Sequence, residues 1–427
     1  MIDRRNFLAL GATATGAAGL SALPLSAAEE RPLPPAIAKL PSMRDQAKPI
    51  TVEERRQRIE RARQLLAENK LGALMITGGS SLVYFTGMRW WQSERLFALI
   101  IPASGDAFCV CPKFEEDRAR EQISKGPLGD KAEVRTWEED ESPYKLVAGG
   151  LADRGIHTGQ IGIEETVTFA FSDGVAKAAP TITLVSGTPI TAGCRMIKSA
   201  HELELMRLAA KVSWAAYKAA YESIRVGMTD HEFSSLVSLA HRQLGFDGGA
   251  DVQTGIYSAL PHGSLTPQKI NEGTILLMDG GCKVEGYASD ISRTFVLGNP
   301  TDKMKRVFDI VQQAQTAALK AAGPGIRCGD VDAAARKVIT DAGFGPDFKY
   351  FSHRVGHGMG MDGHEWTYLV RGNLTKMQPS MVFSDEPGVY IRGEFGVRLE
   401  DDMVITENGA ELMTPQSPSL ENPFRVG

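Results

Sequence analysis

The chain has 427 residues, enough for two ordinary domains. Hydrophobic residues make up 43% and charged residues 23%, which excludes a disordered or fibrous chain. The net charge of −5 leaves no basic excess to neutralise phosphates, so nucleic-acid binding is excluded as the main role.

Asp3-Arg4-Arg5-Asn6-Phe7-Leu8 precedes a weakly apolar Ala/Gly/Leu stretch and the small-residue site Ser26-Ala27-Ala28. This pattern reads as a twin-arginine signal peptide over residues 1–28, which implies export to the periplasm and no membrane association after cleavage. Residues 29–48, with recurring prolines, are expected to be a flexible lead-in.

A mixed α/β domain is expected over residues 49–192. Thr51-x-x-Glu54 is a capping box that opens an amphipathic helix closing near Gly72. The basic run Arg55-Arg56-Gln57-Arg58 is interleaved with glutamates and reads as a solvated face of that helix. Strand-like runs follow at 72–77, 95–102, 108–112, 160–164 and 181–185, with helices at 114–124 and 143–153. Cys109 and Cys111 alternate on one strand face. With Cys194, Cys282 and Cys328 they make an odd set without zinc-like spacing, so no disulfide or thiol chemistry is assigned.

A second domain is expected over residues 193–427. Ser199-x-x-Glu202 and Thr229-x-x-Glu232 open two helices, followed by strands at 274–282 and 287–297. The order then repeats, with helices at 301–322 and 330–341 and strands at 381–387 and 397–406. Two successive helix–helix–hairpin units make this a pseudo-twofold α+β domain.

The hairpins carry the chemistry. Asp279 and Asp290 are equidistant from Val284/Glu285, and Glu386 and Glu400 are equidistant from Gly393. Residues equidistant from a hairpin's centre face each other across its strands, so each hairpin presents a matched acidic pair. Four carboxylates on a buried sheet repel one another and are costly to desolvate. Divalent cations remove that conflict, and oxygen-rich sites suit hard cations. A further donor is available among the histidines: His353, His357 and His364 in one glycine-rich stretch, and His262 in the turn Leu260-Pro261-His262-Gly263. By alternation Asp385 and Asp401 point away from the acidic pairs.

The ordered set Asp279, Asp290, His357, Glu386 and Glu400 resembles the metal ligands of the pita-bread metallopeptidases, family M24. The resemblance also rests on Arg195-x-Ile197-Lys198-Ser199-x-x-Glu202, on HxxGHGxGxxxHE over 353–365, and on Glu386-Pro387-Gly388 with Val397-Arg398-Leu399-Glu400-Asp401. A creatinase-like N-terminal domain ahead of a pita-bread catalytic domain resembles the creatinase, prolidase and aminopeptidase P branch. That resemblance implies hydrolysis of the bond preceding proline, in dipeptides or longer peptides, by a water activated between two divalent metal ions. Manganese is the first choice, with zinc, cobalt and iron compatible. It implies Glu386 as general base, His262 and His364 on the substrate and on the tetrahedral oxyanion or leaving amine, and His353 on the proline. Arg398 would orient Glu400 or meet a substrate carboxylate, and Arg371 is a second candidate for that carboxylate. Trp90 and Trp91 are read as local packing or as pocket walls across a homodimer, which this branch often forms. The alternative is a non-peptidase on the same fold, a metal-dependent lyase or amidohydrolase of a small molecule. Sulfonium lyases of this fold carry an aspartate two positions after the first ligand, where this chain has Gly281.

Overall fold

The computed structural model describes residues 32–425, so the expected signal peptide lies outside the described residues. Residues 35–425 belong to one compact unit. No helix among the described residues is long and apolar enough to cross a membrane.

The lead-in is not loose. A short helix, Pro35–Ala38, buries Ile37 completely. The Met43 N–H donates to Leu244 O at 2.8 Å and Arg44 Nη1 donates to Gly245 O at 2.9 Å. These bonds satisfy carbonyls that the end of helix Asp230–Leu244 leaves open. The expectation of flexibility is corrected: the prolines limit regular structure without preventing burial.

The amino-terminal domain is built on a six-stranded mixed sheet. Its spatial order is Glu133–Trp137, Phe108–Pro112, Ala98–Pro102, Ala73–Ile76, Gly159–Ile163, Ile182–Ser186. Alternation along the strands divides two apolar layers. Leu74, Ile76, Leu99, Ile101, Cys109 and Cys111 join one core, while Ala73, Met75, Ile100, Phe108 and Val110 join the other. The edge strand Glu133–Trp137 escaped the sequence reading because only Trp137 along it is buried. The expected boundary at 192/193 falls inside helix Thr188–Arg195.

In the carboxy-terminal domain, helices Ala200–Tyr221 and Asp230–Leu244 both start at the expected capping boxes. They cover a sheet ordered Ile291–Val296, Ile275–Val284, Gly248–Thr254. Helices Asp302–Ala321 and Cys328–Asp341 cover the second sheet, ordered Glu365–Leu369, Gly356–Gly358, Val382–Asp385, Asp401–Thr406, Gly409–Leu412. The strands Gly388–Ile391 and Phe395–Arg398 form a separate ribbon.

Part of the basic run on the first helix is internal, which corrects the solvated-face expectation. Arg58 is buried, donating to Tyr287 OH at 2.8 Å and Tyr84 O at 2.9 Å and lying 3.2 Å from Glu202. Tyr287 sits at the tip of the aspartate hairpin and donates to Glu202 at 2.8 Å. One arginine thus joins the first domain to both the helix and the hairpin of the second. Removing one member of a buried ion pair leaves its partner uncompensated, at about 3–5 kcal/mol. Arg58→Met is expected to lower unfolding free energy by about that amount in urea titration. A loss below ~1 kcal/mol, the level of an exposed pair, would show that the pair does not hold the interface.

Candidate metal centre

The aspartate hairpin turns at Glu285 and Gly286, both at positive φ (49° and 93°), with Val284 opposite Tyr287. That two-residue turn is centred one residue later than the sequence reading placed it. Asp279 therefore faces Ser292, not Asp290. A one-residue displacement of the turn moves every partner by two positions, which preserves the face. Asp290 remains a diagonal neighbour of Asp279, just ahead of the strand Ile291–Val296. Gly281 lies where the strands close on each other; a Cβ there would sit 1.9 Å from Ser289 O.

The glutamate hairpin follows the expected register. Gly388 pairs with Arg398 and Asp385 with Asp401, so Glu386 and Glu400 fall across from each other where one ladder gives way to the next. Asp385 and Asp401 do not line the cavity; Asp401 is held by Arg293 at 2.6 Å and by Gln315 at 3.0 Å. His357 arrives on the short strand Gly356–Gly358. A Cβ at Gly356 would lie 2.0 Å from Ser384 O, so only glycine lets that strand approach so closely.

Asp279, Asp290, His357, Glu386 and Glu400 line one cavity of about 160 Å³, together with His262, His353, Arg354, His364 and Arg398. One donor atom each from Asp290, His357 and Glu400 lies within 4.8 Å of the others. His357 Nε2 is 3.3 Å from Glu386 Oε1, and its Nδ1–H donates to Gly358 O at 3.2 Å, leaving the Nε2 lone pair toward the carboxylates. The His364 ring stacks on His357 at 3.7 Å between centroids.

Arg398 is anchored among the proposed ligands. Its Nη2 donates to Asp279 Oδ2 at 2.7 Å, its Nε to Ser292 Oγ at 2.9 Å, and its Nη1 to Pro261 O and Tyr390 OH at 2.9 Å each. It therefore orients Asp279 directly and reaches Glu400 only through Ser292, whose hydroxyl lies 2.7 Å from Asp279 and 2.6 Å from Glu400. Four of its five N–H groups are engaged by these acceptors. Arg371 is paired with Asp347 at 2.8 Å and does not line the cavity. Trp90 stacks on Phe97 at 4.2 Å and Trp91 is exposed; neither lines the cavity. Ser292, Tyr390 and Arg354 were missed by the sequence reading. Ser292 was legible only from the true register, and Arg354 only from its place next to His353. Arg354 lies over the Tyr368 ring at 4.1 Å, and no ion pair to a carboxylate is found for it among the described residues.

The electrostatics fit a cation. Burial and the neighbouring Asp279 charge push Asp290 well above the carboxylate range, and burial with the Asp290 charge does the same to Glu400. Burial pushes Glu386 up to about 8, against the opposing pull of Arg398. Asp279 is also raised by burial, but Arg398 and Ser292 outweigh this and hold it below the usual range. Burial drives His357 and His353 down to about 3, keeping both neutral. Buried carboxylates in mutual repulsion beside a neutral imidazole lone pair are the donor chemistry of a hard divalent cation.

Residues 204–407 match Metallopeptidase family M24, and residues 58–197 match the Creatinase/Prolidase N-terminal domain. The chain is 31% identical over 371 residues to the Xaa-Pro dipeptidase of Lactobacillus delbrueckii subsp. lactis, covering 85% of this chain and 98% of that protein. It belongs to metallopeptidase family M24. Among solved structures, the dipeptidase PepE from Mycobacterium ulcerans superposes with a TM-score of 0.82 at 32% identity, covering 88% of this chain and 99% of that one. The Xaa-Pro dipeptidase from Bacillus anthracis superposes with a TM-score of 0.74 at 28% identity, covering 86% and 99%. The family assignment agrees with the two-domain build and with the donor set that lines the cavity.

Arg398→Lys keeps the charge but cannot reproduce a planar fork reaching four acceptors. The substitution is expected to weaken divalent-metal affinity about 10- to 100-fold, as loss of a group that orients a ligand typically does. Calorimetric titration of the chelator-treated protein with manganese measures this; unchanged affinity would remove Arg398 from the support of the centre.

Proposed function

We propose that the chain is a Xaa-Pro dipeptidase working with two divalent cations, manganese first among them and zinc, cobalt or iron compatible. The observation that carries this reading is the convergence of Asp279, Asp290, His357, Glu386 and Glu400 on one cavity beside Arg354, a guanidinium with no ion pair among the described residues. Four carboxylates and an imidazole from separate strands around one cavity offer more donors than a single four-coordinate ion uses, which supports a pair. The cations would supply an acidified water and polarise the scissile carbonyl.

The chain's own groups do the rest. Glu386 accepts the proton of the attacking water and delivers it to the departing proline nitrogen; Ser384 donates to its Oε1 at 3.3 Å and steadies it. His364, stacked on His357, and His262 on the cavity wall donate to the carbonyl oxygen as negative charge develops there. His353 is locked by Arg354 O at 2.8 Å and Tyr390 OH at 2.7 Å, giving a rigid neutral wall for the proline ring. Arg354 takes the carboxylate that ends a dipeptide, a pairing for which guanidinium geometry is suited. This charge at the cavity favours dipeptides over longer peptides. The lyase alternative is disfavoured because Gly281 has no room for an aspartate beside Ser289 O.

Glu386→Gln is expected to lower kcat for Ala-Pro by ~10³-fold or more while leaving the melting transition in place; sustained turnover would end this mechanism. Arg354→Ala is expected to raise KM for Ala-Pro about 10- to 100-fold and to leave Ala-Pro-amide nearly unaffected. Equal effects on the acid and the amide would mean that Arg354 does not bind the carboxylate.

A further inference from the structure

A second cavity, of about 570 Å³, lies between the two domains and shares His364 with the metal cavity. The metal cavity alone, at 160 Å³, is smaller than the ~300–1,000 Å³ of ordinary small-molecule sites. A dipeptide held at the metal centre therefore extends beyond it, and the shared His364 wall marks the direction.

The larger cavity has a strong charge bias. Glu164, Glu165, Asp362 and Glu365 line it against the single guanidinium of Arg195. Arg195 is committed to Asp362 at 2.7 Å and Glu365 at 2.5 Å, and Lys198 approaches Glu365 at 3.6 Å. Glu164 is 3% exposed, yet among the described residues its carboxylate is held only by the Ser81 and Thr166 hydroxyls and the Thr166 N–H. Burial raises its carboxyl above the ordinary range. Among the described residues the Glu165 carboxylate accepts only from Thr191 Oγ1, at 2.9 Å. No lysine, arginine or histidine pairs with either glutamate among the described residues. Trp366, 41% exposed, brings an aromatic face to the same space. A cavity with uncompensated carboxylates and an indole is suited to an ammonium or guanidinium group.

We propose that this cavity receives the side chain of the residue preceding proline and favours a cationic one, so that Lys-Pro and Arg-Pro are preferred over neutral and acidic dipeptides. The inference rests on the Xaa-Pro reading of the metal centre and names the substrate class for it.

The test is steady-state hydrolysis of Lys-Pro, Met-Pro and Glu-Pro by the manganese-loaded full chain. Lys-Pro is expected to exceed Met-Pro in kcat/KM about five- to tenfold, through KM, with Glu-Pro lowest. Raising salt to about 0.5 M should shrink the preference, because partly exposed charges are screened. Glu165→Gln should reduce the ratio of Lys-Pro to Met-Pro kcat/KM, and Glu165→Lys should move preference toward Glu-Pro. Lys-Pro no better than Met-Pro, or a preference untouched by either variant, would overturn the inference. Calorimetric titration of the chelator-treated protein with Lys-Pro and Glu-Pro reads the cavity independently of turnover and should show the same order. Absence of Met-Pro hydrolysis would count against the metal-centre reading, while the titration still decides this one.

Discussion

The catalytic domain is organised around an electrostatic conflict: acidic side chains from two hairpins meet in a place with little water. Only Arg398 among the cavity's cations touches one of them directly, through Asp279. An ionised carboxylate without a counter-charge is strongly disfavoured in such surroundings. The burial that lifts Asp290, Glu386 and Glu400 above their usual range also defines the cavity's function. The family's metal supplies the charge that the polypeptide withholds.

The surrounding structure keeps those acids from separating. Ser292 stands between Asp279 and Glu400, its one hydroxyl hydrogen shared between them, and so links the two hairpins at the ligands themselves. Arg398 extends the tie to the His262 turn through Pro261 O and to His353 through Tyr390. Backbone glycines provide the close approaches, as at Gly356 against Ser384. These supports place donors by fixed bonds instead of leaving them to long flexible side chains, which is how a preorganised site avoids reorganisation during reaction.

Much of this was legible in the sequence because hairpin geometry has a period of two. The glutamate pair has its expected register, and the aspartate hairpin kept its acids on one face although its turn is displaced by a residue. The capping boxes at Thr51, Ser199 and Thr229 fixed three helix starts through local hydrogen bonds. What escaped depended on distant parts of the chain. The strand Gly248–Thr254 looks polar and glycine-rich on its own, and its identity comes from pairing with Ile275–Val284. Arg58 looked solvated, and the bond from Arg398 to Asp279 was not foreseen, because Tyr287 and Asp279 lie more than a hundred residues from the arginines that bind them.

The grip of Arg58 on the tip of the aspartate hairpin also bears on how such chains can be recombined. The same guanidinium contacts Tyr84 O at home, and Tyr287 and Glu202 in its neighbour. A foreign amino-terminal domain grafted onto this catalytic domain would bring its own surface to Glu202 and leave that buried acid without its cation. A working exchange of the two halves would therefore require the arginine, the tyrosine and the glutamate to travel together.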